Sequence, residues 1–266
     1  MRLTLAPLGR FDLGAAAAAL IAFLAFRLEA LTAGGALAAF VVGSITFGAL
    51  DLGGAAVLLA FFVSSLALSR IGRARKRALE RDIGKSGPRD AMQVLANGGV
   101  AAVCALLALG GDERYAIAFC GAFAAATADT WATELGTLLG GRPRSILTWR
   151  RIDVGLSGGV TAIGTAAEIA GASFSAAVAY ACGVRSFWAI ALGGICGALV
   201  DSLLGATVQK LRWCPQCRRT SEREPHGCGA NTTTLRPWAI LDNDGVNLLA
   251  TAAGAGVAYV VSAALP

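Results

Sequence analysis

Apolar stretches of membrane-spanning length, broken by short turns and three longer basic segments, dominate this chain. About 20 apolar helical residues match the roughly 30 Å hydrocarbon layer of a bilayer. A soluble domain of 266 residues has no way to hide several such stretches. Apolar windows read against polar breaks give about eight spans, at 12–27, 31–50, 52–69, 94–110, 115–138, 157–181, 186–206 and 243–264. Only Asp51 separates the second from the third, so a re-entrant pair is the alternative there. The first stretch runs into Arg27 and Glu29 without a small-residue cleavage site and reads as a retained span rather than a signal peptide. The expected fold is therefore all-α, a polytopic transmembrane helix bundle forming a single integral-membrane domain over residues 1–266. A small loop at 207–242 is inserted between the last two spans.

The net charge of +6 does not point to nucleic acid, because the basic residues lie in loops. Of 23 Lys and Arg, 19 fall at Arg27 and in the 70–93, 141–156 and 207–242 segments, and 4 fall on the other side. Retention of basic loops in the cytoplasm then predicts both termini outside and the three long loops inside. No nucleic-acid partner is expected; the bilayer is. Cys104, Cys120, Cys182 and Cys196 sit singly in apolar segments and read as small packing residues. The abundant Gly, Ala, Ser and Thr suit helices whose backbones approach closely in lipid.

Two of the spans repeat one another. Steps of four give Gly121, Ala125, Asp129, Thr133 and Thr137 in the fifth, and Gly193, Gly197, Asp201, Gly205 and Gln209 in the seventh. Thr130 and Ser202 follow the two acids. Residues four apart share a helix face, and both spans run in the same direction, so Asp129 and Asp201 are expected at similar depth near the cytoplasmic boundary. An ionised side chain at that depth is costly unless it pairs, binds a cation or lines a wet cavity. Glu134 lies about 140° further round the helix and shares the face of Asp129 only if the helix breaks. Asp242, Asp244 and Asn247 open the last span from the same side, and either aspartate alone suits a helix cap. Carboxylates and amides on three helices beside basic loops make a Mg²⁺–phosphate type of site, the competing reading being a structural polar cluster. Asp51 belongs to a span running the other way and reads as a turn or cap. Glu168 is expected to be buried, protonated or bonded to a neighbouring helix.

The loops carry further candidates. Gly84-Lys85-Ser86 is not a phosphate loop: the earlier glycine would fall at Leu79, and no strand precedes it. Lys85 and Arg89 still offer positive charge just before Gln93 and Asn97 enter the membrane. Ser157 followed by Gly158-Gly159 reads as a cap and first helical turn able to take an anion. In the 207–242 loop, Cys214, Cys217, His226 and Cys228 present four soft ligands, a zinc-knuckle-like set in a reducing compartment, with free thiols as the alternative. Four protein ligands would make such a Zn²⁺ structural.

Several segments carry a resemblance: Gln93-Val-Leu-Ala-Asn-Gly-Gly, Ala128-Asp-Thr-Trp-Ala-Thr-Glu-Leu-Gly, Pro143-Arg-Ser-Ile, Gly158-Gly-Val-Thr with Gly164-Thr165, Asp201-Ser-Leu-Leu-Gly-Ala-Thr-Val-Gln, the Cys/His loop, and Asn243-Asp-Gly-Val-Asn. Over nearly its whole length the chain resembles the integral-membrane family of domain of unknown function 92, which includes transmembrane protein 19 and the chloroplast phytyl-phosphate kinase. The resemblance implies a kinase that converts a prenyl monophosphate to the diphosphate at the expense of a nucleoside triphosphate, CTP being the expected donor. The family usually carries Thr and an acid before its Gly-Gly pair, where this chain has Leu156 and Ser157.

Phosphoryl transfer needs metal and positive charge on the triphosphate and an aligned acceptor more than a strong base. The expected roles are Asp129 and Asp201 as Mg²⁺ ligands, Glu134 and Asp244 as supporting carboxylates, and Asn97 and Asn247 as orienting amides. Lys85, Arg89, Thr130, Gly158, Gly159, Ser202 and Gln209 would contact nucleotide or phosphate. Two alternatives stand beside this: a transporter, which expects a midplane site open to both faces and for which Glu168 is the best single argument, and a scaffold that recruits a partner through its Cys/His loop.

Overall fold

The computed structural model describes residues 7–72 and 87–264. Among these the chain forms seven helices: α1 (Pro7–Arg27), α2 (Ala33–Arg70), α3 (Ala91–Ala108), α4 (Glu113–Leu139), α5 (Ala162–Ala181), α6 (Phe187–Thr207) and α7 (Asn243–Ala264). All but α4 are long and apolar enough to cross a membrane. Thr32, Asp112 and Thr161 cap α2, α4 and α5 by accepting backbone N–H bonds, and Asp90 with Gln93 forms a capping box on α3.

Seven helices stand where eight apolar segments were expected, because the second and third share α2. That helix has 38 residues and would be about 57 Å long if straight. It is not straight. Asp51 has φ 59° and ψ −153°, and its carboxylate accepts the N–H of Leu52, so it terminates one leg and caps the next. Before Asp51, the leg packs along α3, with Gly34 beside Ala91 and Val42 against Gly98. After Asp51, the leg packs along α4, where Phe61 meets Phe123, Trp131 Nε1 donates to Ser64, and Gly72 meets Leu138. Since α3 and α4 are joined by a tight turn and run in opposite directions, so do the two legs. The turn or cap role anticipated for Asp51 is its observed role.

The interior is dominated by small residues, with Phe119, Phe123 and Ile190 the largest side chains fully buried among them. Every position of α4 from Ala118 to Ala128 is buried, whereas Leu20, Leu37, Val63 and Val260 are 60%, 66%, 58% and 66% exposed. This inverts the order of a soluble core: small side chains let helix backbones touch, and the large apolar ones face outward where lipid covers them. The repeat of the sequence is a repeat of packing. A Cβ on Gly121 would lie 2.7 Å from the carbonyl oxygen of Gly254, and one on Gly193 would lie 2.6 Å from the same atom. α7 is thus wedged between α4 and α6, which touch each other one turn further on, where a Cβ on Gly197 would sit 2.4 Å from that of Ala125.

Two loops add short strands to the expected all-helical architecture. Between α4 and α5, β1 (Arg144–Ser145) pairs antiparallel with β2 (Gly159–Val160). Between α6 and α7, β3 (Arg212–Cys214) lies in the middle of a three-stranded sheet between β4 (Arg219–Ser221) and β5 (Thr233–Thr234). A bridge between Gln209 and Leu241 closes the base of this second loop.

If the helix contact at Gly197 sets the register, Gly197→Val should lower stability by about 1–3 kcal/mol through overpacking. Gly256→Ala, where nothing lies within 4 Å of the added Cβ, should be neutral or stabilising by up to about 1 kcal/mol. Thermal unfolding of the two variants in one detergent checks this.

Candidate functional site

The contact of Gly197 with Ala125 places the next residue of each four-step ridge, Asp201 and Asp129, at the same level on neighbouring parallel helices. Both line a cavity of about 1340 Å³ at the end of the bundle that carries the long loops. Asp129 is within electrostatic range of Asp201 and of Glu168, which enters the same cavity from α5. Asp201 Oδ2 is buried without a hydrogen-bond partner. Like charges within such range in a bundle interior are stabilised by protonation or by a neutralising cation.

Most of the anticipated residues reach this cavity. Glu134 lines it beside Arg89, although α4 runs unbroken through both acids: the cavity wraps round the helix, so no shared face is needed. Burial draws the Arg89 guanidinium below its usual range, and neighbouring Glu134 partly restores it. The Arg89 backbone exchanges hydrogen bonds with Ala30 and Thr32, fixing the approach to α3. Asn97, Thr130, Ser202, Gln209 and Asn247 also line the cavity; Asn97 Nδ2 donates to the Gln93 carbonyl and the Thr130 hydroxyl to that of Ala126. Asp244 is buried in the first turn of α7 but is not among the lining residues, whereas Asp242 is, and also caps α7 by accepting the N–H of Gly245. Lys85 lies outside the described residues.

Gly158 and Gly159 line the cavity, but not as a helical turn. Gly158 leads into β2 and Gly159 is its first residue, α5 begins only at Ala162, and its cap is Thr161 rather than Ser157. Gly158 has φ +78°, and a Cβ there would lie 2.5 Å from that of Ala206, so glycine is required for the loop to seat on the end of α6.

The four soft ligands come together. The candidate ligand atoms of Cys214, Cys217, His226 and Cys228 all lie within 4.8 Å of one another, and the sulfurs of Cys214 and Cys228 are 3.7 Å apart. Zn–S bonds of about 2.3 Å at tetrahedral angles put sulfurs about 3.8 Å apart, so the donor set fits one tetrahedral soft ion. The Ala230 backbone and His226 hold the Cys228 thiol down to about 6, whereas its hydrogen bond with Cys228 pushes the Cys217 thiol up to about 11, so the cluster shares a proton, and metal binding requires its release.

Two residues at or beside the cavity gave no sequence signal. Glu222, directly after β4, lines the cavity within electrostatic range of Asp201. It accepts bonds from Gln209 Nε2 at 2.8 Å and Ser157 N–H at 3.0 Å. Burial pushes its carboxyl up, against Ser157 and the charge of Arg236. Arg236 donates to the carbonyls of Gly205 and Gln209, sealing the C-terminal end of α6 to the loop. Both lie in polar runs that read as solvated loop. Glu168 was visible in the sequence as a buried acid but carried no indication that it faced Asp129.

The chain belongs to the integral membrane protein family DUF92, whose family model matches residues 16–255. It is 32% identical to Protein PGR of Arabidopsis thaliana over 86% of this chain and 88% of that one. It is 30% identical to an uncharacterised membrane protein of Methanocaldococcus jannaschii over 77% and 74% of the two chains. The chloroplastic Protein VTE6 of Arabidopsis thaliana is 28% identical over 56% of this chain and 46% of its own. No solved structure matches.

The docking of the Cys/His loop on the bundle generates a direct expectation. Arg236→Met removes the donor from two carbonyls at the end of α6, at a cost of about 1–3 kcal/mol each if they stay buried. The 207–242 segment should then be cut by protease at least tenfold faster while the helix content by circular dichroism is unchanged.

Proposed function

We propose that this protein is a membrane-embedded prenyl-phosphate kinase, moving a phosphoryl group from a nucleoside triphosphate, CTP by preference, to a prenyl monophosphate at the cytoplasmic boundary. The observation that carries the reading is that one cavity is lined by two unlike sets of side chains. Asp129, Asp201, Glu168 and Glu134 with Arg89, Lys210 and Arg223 supply charge; Val42, Leu58, Phe61, Phe62 and Leu66 from the two legs of α2, with Phe123, supply apolar surface. A lipid phosphate needs both surfaces: charge for its headgroup and hydrocarbon for its tail. The resemblance of the acidic motifs to the phytyl-phosphate kinase family supports the same substrate class.

In this reading Asp129 and Asp201 hold Mg²⁺, which supplies neutralisation of the triphosphate. The basic side chains at the cavity mouth bind the remaining phosphate oxygens, and Asn97 and Asn247 orient the acceptor. The legs of α2 count separately as spans, giving eight crossings with both termini outside and the long loops in the cytoplasm, as the basic residues require. The Cys/His cluster holds a structural Zn²⁺. Transport, the competing reading, expects access from both faces. Among the described residues, none from the 109–112 or 182–186 turns at the far end of the bundle lines the cavity, and Glu168 belongs to the same one-ended site as Asp129.

Purified protein given Mg²⁺, labelled CTP or ATP, and phytyl or geranylgeranyl monophosphate should form the labelled diphosphate. Asp129→Asn and Asp201→Asn should each lower kcat on the order of 10²-fold or more, as expected where electrostatic stabilisation is lost. Metal analysis should find about one zinc per chain, reduced in Cys228→Ser. Absence of transfer for every pair of substrates defeats the kinase reading.

A further inference from the structure

The Cys/His loop does not hang free of the bundle. The bridge of Gln209 to Leu241 closes its base, Arg236 ties it to the carbonyls of Gly205 in α6 and of Gln209 just beyond it, and Glu222 reaches from it into the acidic cavity. Glu222 lies one residue beyond β4, whose partner β3 ends in Cys214; in that register Arg219 stands opposite Cys214 and Ser221 opposite Arg212. His226 follows four residues later. The residue that enters the cavity therefore lies in the sequence between Cys217 and His226, two of the four soft ligands.

Around Glu222 the cavity has oxygen acceptors without enough donors. Gln209 is 2% exposed; its Nε2 is used on Glu222, and its Oε1 is buried without a hydrogen-bond partner. Asp201 Oδ2 is in the same condition. Buried acceptors are normally satisfied, and leaving one bare costs about 1–3 kcal/mol. Asp201, Glu222, Gln209 and Asp129 line one cavity, and Asp201 is within electrostatic range of both other carboxylates; oxygen ligands, some charged and some neutral, are what a hard divalent cation takes.

We propose that the Cys/His loop serves to place Glu222 and Gln209 against Asp201 and Asp129, so that the divalent-cation site is completed by the loop and not by the helix bundle alone. Occupancy of the soft-metal cluster and affinity at the hard-cation site are then linked, and whatever weakens one weakens the other. The proposal rests on the cation site of the kinase reading but not on the phosphoryl transfer.

The test uses the full chain in detergent with Mn²⁺ as the probe, without nucleotide or lipid, its binding followed by electron paramagnetic resonance. Glu222→Gln keeps the size of the side chain and removes its charge; it should weaken Mn²⁺ binding at least tenfold while the zinc content stays that of the parent. Cys214→Ser should lower zinc content and weaken Mn²⁺ binding, with helix content unchanged. Glu222→Asp should recover part of the lost affinity, which a merely structural role for the charge would not produce. Mn²⁺ affinity unchanged in Glu222→Gln, or unchanged in Cys214→Ser that has lost its zinc, overturns the proposal. If Mn²⁺ binds and responds as stated but no substrate pair is phosphorylated, the kinase reading fails and this one stands.

Discussion

The structure depends on close contact between three helix backbones. α4 and α6 run parallel, and α7 runs against both through glycines that admit no side chain, Gly121, Gly193, Gly197 and Gly254. In lipid there is little hydrophobic gain from bringing helices together, so backbone proximity and van der Waals contact must supply the association. The same contacts bring equivalent residues of the two ridges level, and one consequence is a pair of aspartates facing a common space. The acidic site and the stability of the bundle therefore rest on the same glycine contacts.

That space is expensive. Carboxylates from α4, α5 and α6 line one cavity of a bundle whose interior is otherwise dominated by alanine and glycine with a few large apolar side chains such as Phe119, Phe123 and Ile190, and Asp201 retains a buried oxygen without a donor. A sequence selected only for stability would replace such a cluster by packed apolar residues, because a buried charge seldom recovers its desolvation cost. The apolar wall contributed by the hairpin legs of α2 gives the cavity its second character. Charged and apolar lining in one cavity suits an amphiphile with an anionic head, which is the basis for proposing a lipid phosphate.

Much of this was legible in the sequence, for reasons of periodicity. A four-residue ridge of small residues ending in an acid is a strong pattern because helix geometry converts it directly into a face, so the pairing of Asp129 with Asp201 could be read before the helices were seen. The Cys-x-x-Cys and His-x-Cys pairs converge as their spacing implied. The start of α5 was misplaced by five residues: Ser157 with two glycines imitates a helix entry, but the segment pairs as a strand with Arg144–Ser145 and the true cap is Thr161. Glu222 and Arg236 were invisible because their roles come from the docking of a loop onto the bundle, a long-range contact that leaves no local pattern. The reversal at Asp51 was signalled only as a single polar residue between two apolar runs, and its geometry depends on packing against α3 and α4.

In the proposed function Asp129 and Asp201 jointly hold a divalent cation at the loop end of the bundle. An experimental structure of the full chain in the presence of Mn²⁺, with anomalous scattering recorded at the manganese edge, should show one peak between the two carboxylates, within ligand distance of both. A cavity with no peak, or two side chains that point apart toward lipid, would rule the shared ion out.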